Sequence, residues 1–245
     1  MSLVSPGLIL KKHLHFLKYI LKIRSRKEDI MPDLEALKDK IDELALRDWN
    51  LSAIKTRFNK LVDEGIPSKT LDPREVIKHK DEILDRVQLK GEEYCYLTRN
   101  CAKGSATALF EEFGLGNMEI IRGLNPFPGI AMSGGICGPV SGGLMALSLY
   151  FSGPDLTDYQ DTRTYLFARK YLRRFEDAFG SLLCSDIQTL LLGKYYDPMA
   201  GGENFQAFNK ARAREKCPLA PGLGARIAAE IIIESMEKEQ SARAD

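Results

Sequence analysis

The sequence predicts an all-α protein: a helical bundle with a helical amino-terminal extension and glycine-rich loops around a cysteine site. Three observations lead there. Apolar residues recur at three- and four-residue spacing nearly everywhere from Pro32 onward, no stretch alternates with a period of two, and helix start and stop residues bracket the periodic segments.

The elements follow in order. Pro32-Asp33 opens a helix with Leu34, Leu37, Ile41 and Leu44 on one stripe. Asn50 or Ser52 caps a second, carrying Ile54, Phe58, Leu61 and Val62, and Gly65 ends it. Asp72-Pro73 starts a third with Val76, Ile77, Ile83, Leu84 and Val87, and Gly91 reads as a break. A domain boundary is expected there, dividing a helical region 1–90 from a cysteine-bearing domain 91–245.

In the second part, Ala102–Phe113 reads as a helix closed by Gly114, and Met118–Arg122 as a short helical turn. Gly123–Gly129, with Pro126 and Pro128, reads as loop. Val140–Phe151 is apolar enough for one buried helix. Asp161–Phe179 is amphipathic, with Gly180 as its stop. Ser185 or Asp186 caps Ile187–Leu192, Tyr195–Lys210 is expected as a surface loop, and Gly224–Glu239 is the last helix.

Charge narrows the partners. The chain has 245 residues with 35 Lys and Arg against 34 Asp and Glu, a net charge of +1, so no general attraction to nucleic acid is expected. Lys55, Arg57 and Lys60 on the second helix read as a solvated face, since Asp48, Asp63 and Glu64 oppose phosphate binding. Residues 1–30 are basic, and Leu10, Leu14, Leu17 and Leu21 share a helical stripe. The segment is read as docked or disordered, and contact of 8–27 with a membrane surface is an alternative. Met31 reads as an alternative translation start. With neither an 18-residue apolar run nor a secretory signal pattern, a cytoplasmic location is expected. The strongly apolar last helix would suit a homodimer interface.

The chemistry rests on cysteine. The three histidines fall at 13, 15 and 79, and the five cysteines at 95, 101, 137, 184 and 217, so no Cys–His site forms from neighbouring sequence. Without a CxxC pair, zinc ribbons, thioredoxin-type dithiols and covalent haem attachment lack support. Cys101, Cys137, Cys184 and Cys217 each lie at an expected helix start, beside Asn, Gly, Ser or Pro. Exposed N–H groups and the positive dipole end favour a thiolate there. A single cysteine is often just a small buried hydrophobe. Four in the same local setting are read as one site, converging around Cys137, with Gly135, Gly138, Pro139 and Gly142 shaping it and Cys95 an additional thiol. Phe127–Met132 and Tyr195–Lys210 are expected as its walls.

Cys137-Gly-Pro-Val-Ser-Gly142 resembles the CGAxxG element of the C_GCAxxG_C_C family of redox-active proteins. Asn100-Cys101-Ala102, Phe179-Gly-Ser-Leu-Leu-Cys184 and Lys216-Cys217-Pro218 extend the likeness over residues 92–238, with Pro139 in place of the motif's alanine. Phe127–Cys137 and Ala213–Pro218 are also similar to the non-haem part of split-Soret cytochromes. These resemblances imply that Cys101, Cys137, Cys184 and Cys217 are the redox or metal residues. The implied cofactor is an iron–sulfur cluster for electron transfer to an unidentified redox partner. Zinc and no metal at all are the alternatives, the latter a thiol–disulfide protein. A third reading is a redox-sensing binding module, with 1–90 as the docking part.

Overall fold

The computed structural model describes residues 34–155, 157 and 162–244, and the basic 8–27 segment and Met31 lie outside them. Among the described residues the structure is all-α. The only strand-like pairing among the described residues is an isolated antiparallel bridge between Ile136 and Leu183.

Helix α1 (Leu34–Leu46) and α2 (Leu51–Glu64) lie on the outside. Leu37, Ile41 and Leu44 of the first and Ile54 and Leu61 of the second are buried, while Val62 is exposed. Asn50 caps α2 by accepting the Ala53 N–H at 3.1 Å, and Gly65 ends it with φ 84°. Arg57 is held inside the chain by Glu93 and by the Tyr94 hydroxyl, 3.1 Å away. The guanidinium is therefore committed to an intramolecular pair.

The third expected helix is two. Asp72 caps α3 (Pro73–Lys78) by accepting the Arg74 N–H at 2.9 Å. The chain steps at His79 (φ −104°, ψ 25°) and resumes as α4 (Lys80–Thr98). Gly91 does not break this helix, so a boundary at residue 91 falls inside a continuous element. Its missing side chain serves packing, because a Cβ there would stand 2.8 Å from the Pro221 carbonyl of the crossing last helix.

Arg99, left-handed at φ 54°, turns the chain out of α4, and Asn100 starts α5 (Cys101–Phe113) by accepting the Lys103 N–H at 3.0 Å. Gly114 ends α5 with φ 67°, and α6 (Met118–Gly123) follows under an Asn117 cap. Next come α7 (Gly138–Phe151), with Pro139 in its first turn, and α8 (Arg163–Phe179), closed by left-handed Gly180. Helix α9 (Cys184–Leu192) begins three residues before the expected Ile187. Neither Ser185 nor Asp186 caps it; the Ser181 hydroxyl accepts the Leu183 N–H at 3.1 Å and donates to Asp186 at 2.7 Å.

The expected Tyr195–Lys210 loop is corrected: its second half is α10 (Gly202–Lys210). Its apolar residues, Phe205, Ala207 and Phe208, span a single turn and none is buried, too short a stripe to stand out behind Gly201-Gly202. A short turn, α11 (Ala213–Lys216), leads into α12 (Leu219–Ala244), which starts five residues ahead of the expected Gly224. Pro221 is tolerated there because first-turn N–H groups need no intrahelical acceptor.

Helices α4, α5, α7 and α12 pack as a central four-helix core, and α8 packs on α7 and α12. Ile231, Ile232 and Ile233 are fully buried, each worth about 1.5–3 kcal/mol on transfer from water. The apolarity read as a dimer face is thus consumed within the chain. No described helix is long and apolar enough to cross a membrane.

Candidate functional site

The four cysteines of the expected site sit at helix ends, for reasons visible in the local sequence. Cys101 is the first residue of α5, behind the Asn100 cap. Cys137 is the N-cap of α7, extended at φ −63°, ψ 140°, so that Gly138 and Pro139 can enter the helix. Cys184 is the first residue of α9, and Cys217 ends α11 one residue before Pro218.

The 135–137 and 182–184 segments are pinned together by main-chain hydrogen bonds. The Cys137 N–H donates to the Leu182 carbonyl at 2.9 Å, and the Cys184 N–H to the Gly135 carbonyl at 2.7 Å. This clamp sets the Cys137 thiol against that of Cys184, with which it hydrogen-bonds, and Cys137 also hydrogen-bonds the Cys101 thiol. Cys217 is close enough to Cys184 and Cys101 to feel their charge, and Cys95 to feel that of Cys101 and Cys217. The cysteines therefore form a connected group, with Cys137 between Cys101 and Cys184.

Close backbone approach makes room for it. A Cβ on Gly138 would overlap the Cys101 sulfur and stand 2.7 Å from the Ala102 nitrogen. One on Gly142 would overlap the Ser105 hydroxyl, so α5 and α7 cross in near main-chain contact. Pro139 is held by its carbonyl, which accepts a 2.7 Å hydrogen bond from the buried Tyr171 hydroxyl of α8. Gly135 supplies the carbonyl that receives Cys184, and its own N–H donates to Gly129 at 2.9 Å.

The thiols are not equivalent. The Cys137 and Gln188 hydrogen bonds draw the Cys184 thiol down to about 7, against the opposing effect of burial. The Gln188 amide donates to its sulfur at 3.4 Å, and the first-turn N–H groups of α9 add positive potential. Cys137 moves the other way: hydrogen bonding to Cys101 and Cys184, then burial, keeps its proton in place. Burial likewise pushes Cys217 and Cys95 up. Cys95 and Cys137 are buried, whereas Cys101, Cys184 and Cys217 are half-buried, and all five are free thiols.

One wall of the Cys184 side is unusual. Gly129, Ile130, Ala131 and Met132 have consecutive φ values of 54°, 46°, 57° and 62°, a left-handed turn in residues three of which carry side chains. L-residues rarely run together in this region. Two hydrogen bonds close the turn, Ala131 N–H to Pro126 at 2.6 Å and Met132 N–H to Pro128 at 2.8 Å. A Cβ on Gly129 would be 3.1 Å from the Cys184 sulfur. The Tyr195 hydroxyl ties the turn down by donating to the Met132 carbonyl at 3.1 Å.

Sequence reasoning did not single out Gln188 or Tyr171. Gln188 is buried, donates to Cys184 and accepts the Tyr196 N–H at 3.1 Å. Its position one helical turn after Cys184 is the signal that could have found it. Tyr171 carried no such signal, because its partners Pro139, Gly143 and Gly224 are brought to it only by packing.

The donor set tests the expected metal. Thiols without histidine are what a sulfur-ligated centre uses, yet no three described His, Cys, Asp or Glu side chains stand ready to hold a metal ion. The arrangement fits thiol–disulfide exchange as it stands. One thiol is acidic and partly accessible, and its buried neighbour is a hydrogen-bonded donor.

A family described as "Putative redox-active protein (C_GCAxxG_C_C)" matches residues 99–231, more than half of the chain, and so includes every expected site cysteine except Cys95. No curated protein and no solved structure matches.

Proposed function

Because the chain belongs to the C_GCAxxG_C_C family, we propose that it is a cysteine-based redox protein whose working dithiol is Cys184 and Cys137. The observation that carries this reading is the paired tuning of these two thiols, one lowered to about 7 at a helix start and the other kept protonated beside it.

The chemistry needs a partner disulfide. The Cys184 thiolate attacks one of its sulfurs, forming a mixed disulfide and releasing the other sulfur as a thiolate. Cys137 then attacks the Cys184 sulfur and closes the Cys137–Cys184 bond. Its proton passes to a departing thiolate, so the partner leaves as a dithiol and two electrons have moved from protein to partner. Run backwards, the same steps reduce the protein with a partner dithiol. Gln188 steadies the thiolate, and the 129–132 turn limits the approach to its sulfur.

The test is to react Cys137→Ser with glutathione disulfide and identify the adduct. A stable glutathione adduct at Cys184, absent from the unsubstituted protein because Cys137 resolves it, supports the reading. Failure of Cys184 to form any adduct while other thiols react would refute it.

A second reading is an iron–sulfur centre for electron transfer on Cys101, Cys137, Cys184 and Cys217. The grouping of these thiols from separate helix ends, with no histidine among them, favours it. It requires the sulfurs to rearrange, given the absence of a ready metal-holding group among the described residues. Anaerobic purification with iron, zinc and acid-labile sulfide analysis separates the two readings.

A further inference from the structure

Cys95 lies outside the matched 99–231 segment and outside the four-cysteine signature. It is a buried residue of α4, one turn before the Arg99 corner, and Cys101 is the first residue of the helix beyond that corner. The left-handed Arg99 folds α5 back along α4 so closely that a Cβ on Gly104 would be 2.8 Å from the Cys95 Cβ and 2.8 Å from the Gly91 carbonyl. On a continuous helix, positions six apart point to different faces; beyond the corner, Gly104, one turn after Cys101, packs against Cys95, which puts the two cysteines on facing sides of α4 and α5. Cys101 in turn meets Cys137.

We infer that Cys95 is a fifth redox thiol, which pairs with Cys101 and stores a disulfide first made between Cys137 and Cys184. This inference rests on the dithiol reading above.

Transfer takes two internal exchanges. The Cys101 thiolate attacks the Cys137 sulfur of the Cys137–Cys184 bond, a Cys101–Cys137 bond forms, and Cys184 leaves as a thiolate. Cys95 then attacks the Cys101 sulfur, the Cys95–Cys101 bond forms, and Cys137 is expelled and takes the proton that Cys95 gives up. No electron leaves the protein; one disulfide has moved inward. The Cys184–Cys137 pair is again a dithiol and can react with a second oxidant, so the protein holds two disulfides.

Each of the five cysteines falls on its own tryptic peptide, with Cys95 on 91–99, Cys101 on 100–103, Cys137 on 123–163, Cys184 on 175–194 and Cys217 on 217–226. The reduced full-length protein is treated anaerobically with one or two equivalents of diamide, equilibrated, alkylated under denaturing conditions and mapped without reduction. With one equivalent, the 91–99/100–103 pair should dominate and Cys184 should be alkylated. With two equivalents, the 123–163/175–194 pair should appear as well, leaving one free thiol. In Cys95→Ser the first equivalent should stay on Cys137–Cys184. Full alkylation of Cys95 at two equivalents, with Cys137–Cys184 formed, overturns the inference and leaves the dithiol reading standing. Absence of any intramolecular disulfide at two equivalents overturns both.

Discussion

Replacing Cys137 by Ala should raise the Cys184 pKa from about 7 to 9 or above, because it removes the leading hydrogen bond to that sulfur and leaves the opposing burial in place. A displacement of two units corresponds to about 3 kcal/mol of thiolate stabilisation. At pH 7.4 the thiolate fraction should fall from about 70% to about 2–3%. The more basic thiolate is intrinsically about eightfold more reactive, which leaves a net loss of about fourfold in alkylation rate at that pH. The pH profile is therefore the sharper readout. Iodoacetamide labelling of peptide 175–194, followed by mass spectrometry from pH 5.5 to 10, should show a midpoint near 7 in the parent protein. In the variant the midpoint should be near 9 or higher. Coincident profiles would show that Cys137 does not tune Cys184 and would remove the basis for a working pair.

Three further outcomes follow from the same geometry. Gln188→Leu removes the lesser donor to the Cys184 sulfur, so its alkylation midpoint should rise by less than in Cys137→Ala; a larger rise would reverse the assigned order. Gly138→Ala puts a methyl into the Cys101 sulfur and 2.7 Å from the Ala102 nitrogen, which should cost about 1–3 kcal/mol in urea unfolding, whereas the open Gly123 should accept Ala with little change. Arg47→Ala strips the 2.6 Å partner from buried Glu92, whose carboxyl burial already pushes up despite that guanidinium. A carboxyl raised in the folded state favours folding while protonated and loses that advantage as the pH climbs through its folded pKa. The destabilisation, about 3 kcal/mol or more where Glu92 is ionised, should therefore be greater at pH 8 than at pH 5, and equal losses at both would contradict it.

Much of the fold was legible because helix ends are written in local chemistry. Asn50, Asp72 and Asn100 cap the helices they were expected to start or precede, and Gly65, Gly114 and Gly180 end theirs. Gly91 was misread for a physical reason. A helix-breaking glycine and a glycine that admits a crossing helix look alike until the crossing helix is in place. Helix α10 reads as loop in the sequence because its apolar residues, Phe205, Ala207 and Phe208, cover a single turn and follow Gly201-Gly202.

By itself, the sequence determined the all-helical class, the placement of Cys101, Cys137 and Cys184 at helix starts, and membership of a redox-active family, since each depends on residues close together along the chain. Only the tertiary structure decided which thiol is acidic. That choice rests on the Gly135–Cys184 and Leu182–Cys137 hydrogen bonds, which join segments about forty-five residues apart and set one thiol to donate to the other. It also decided that Cys95 belongs with the group, because the left-handed Arg99 corner folds two helices together and reverses what helical spacing alone would place on different faces. A thiol's acidity depends on the donors around it in space, and those donors come from parts of the chain that only folding brings together.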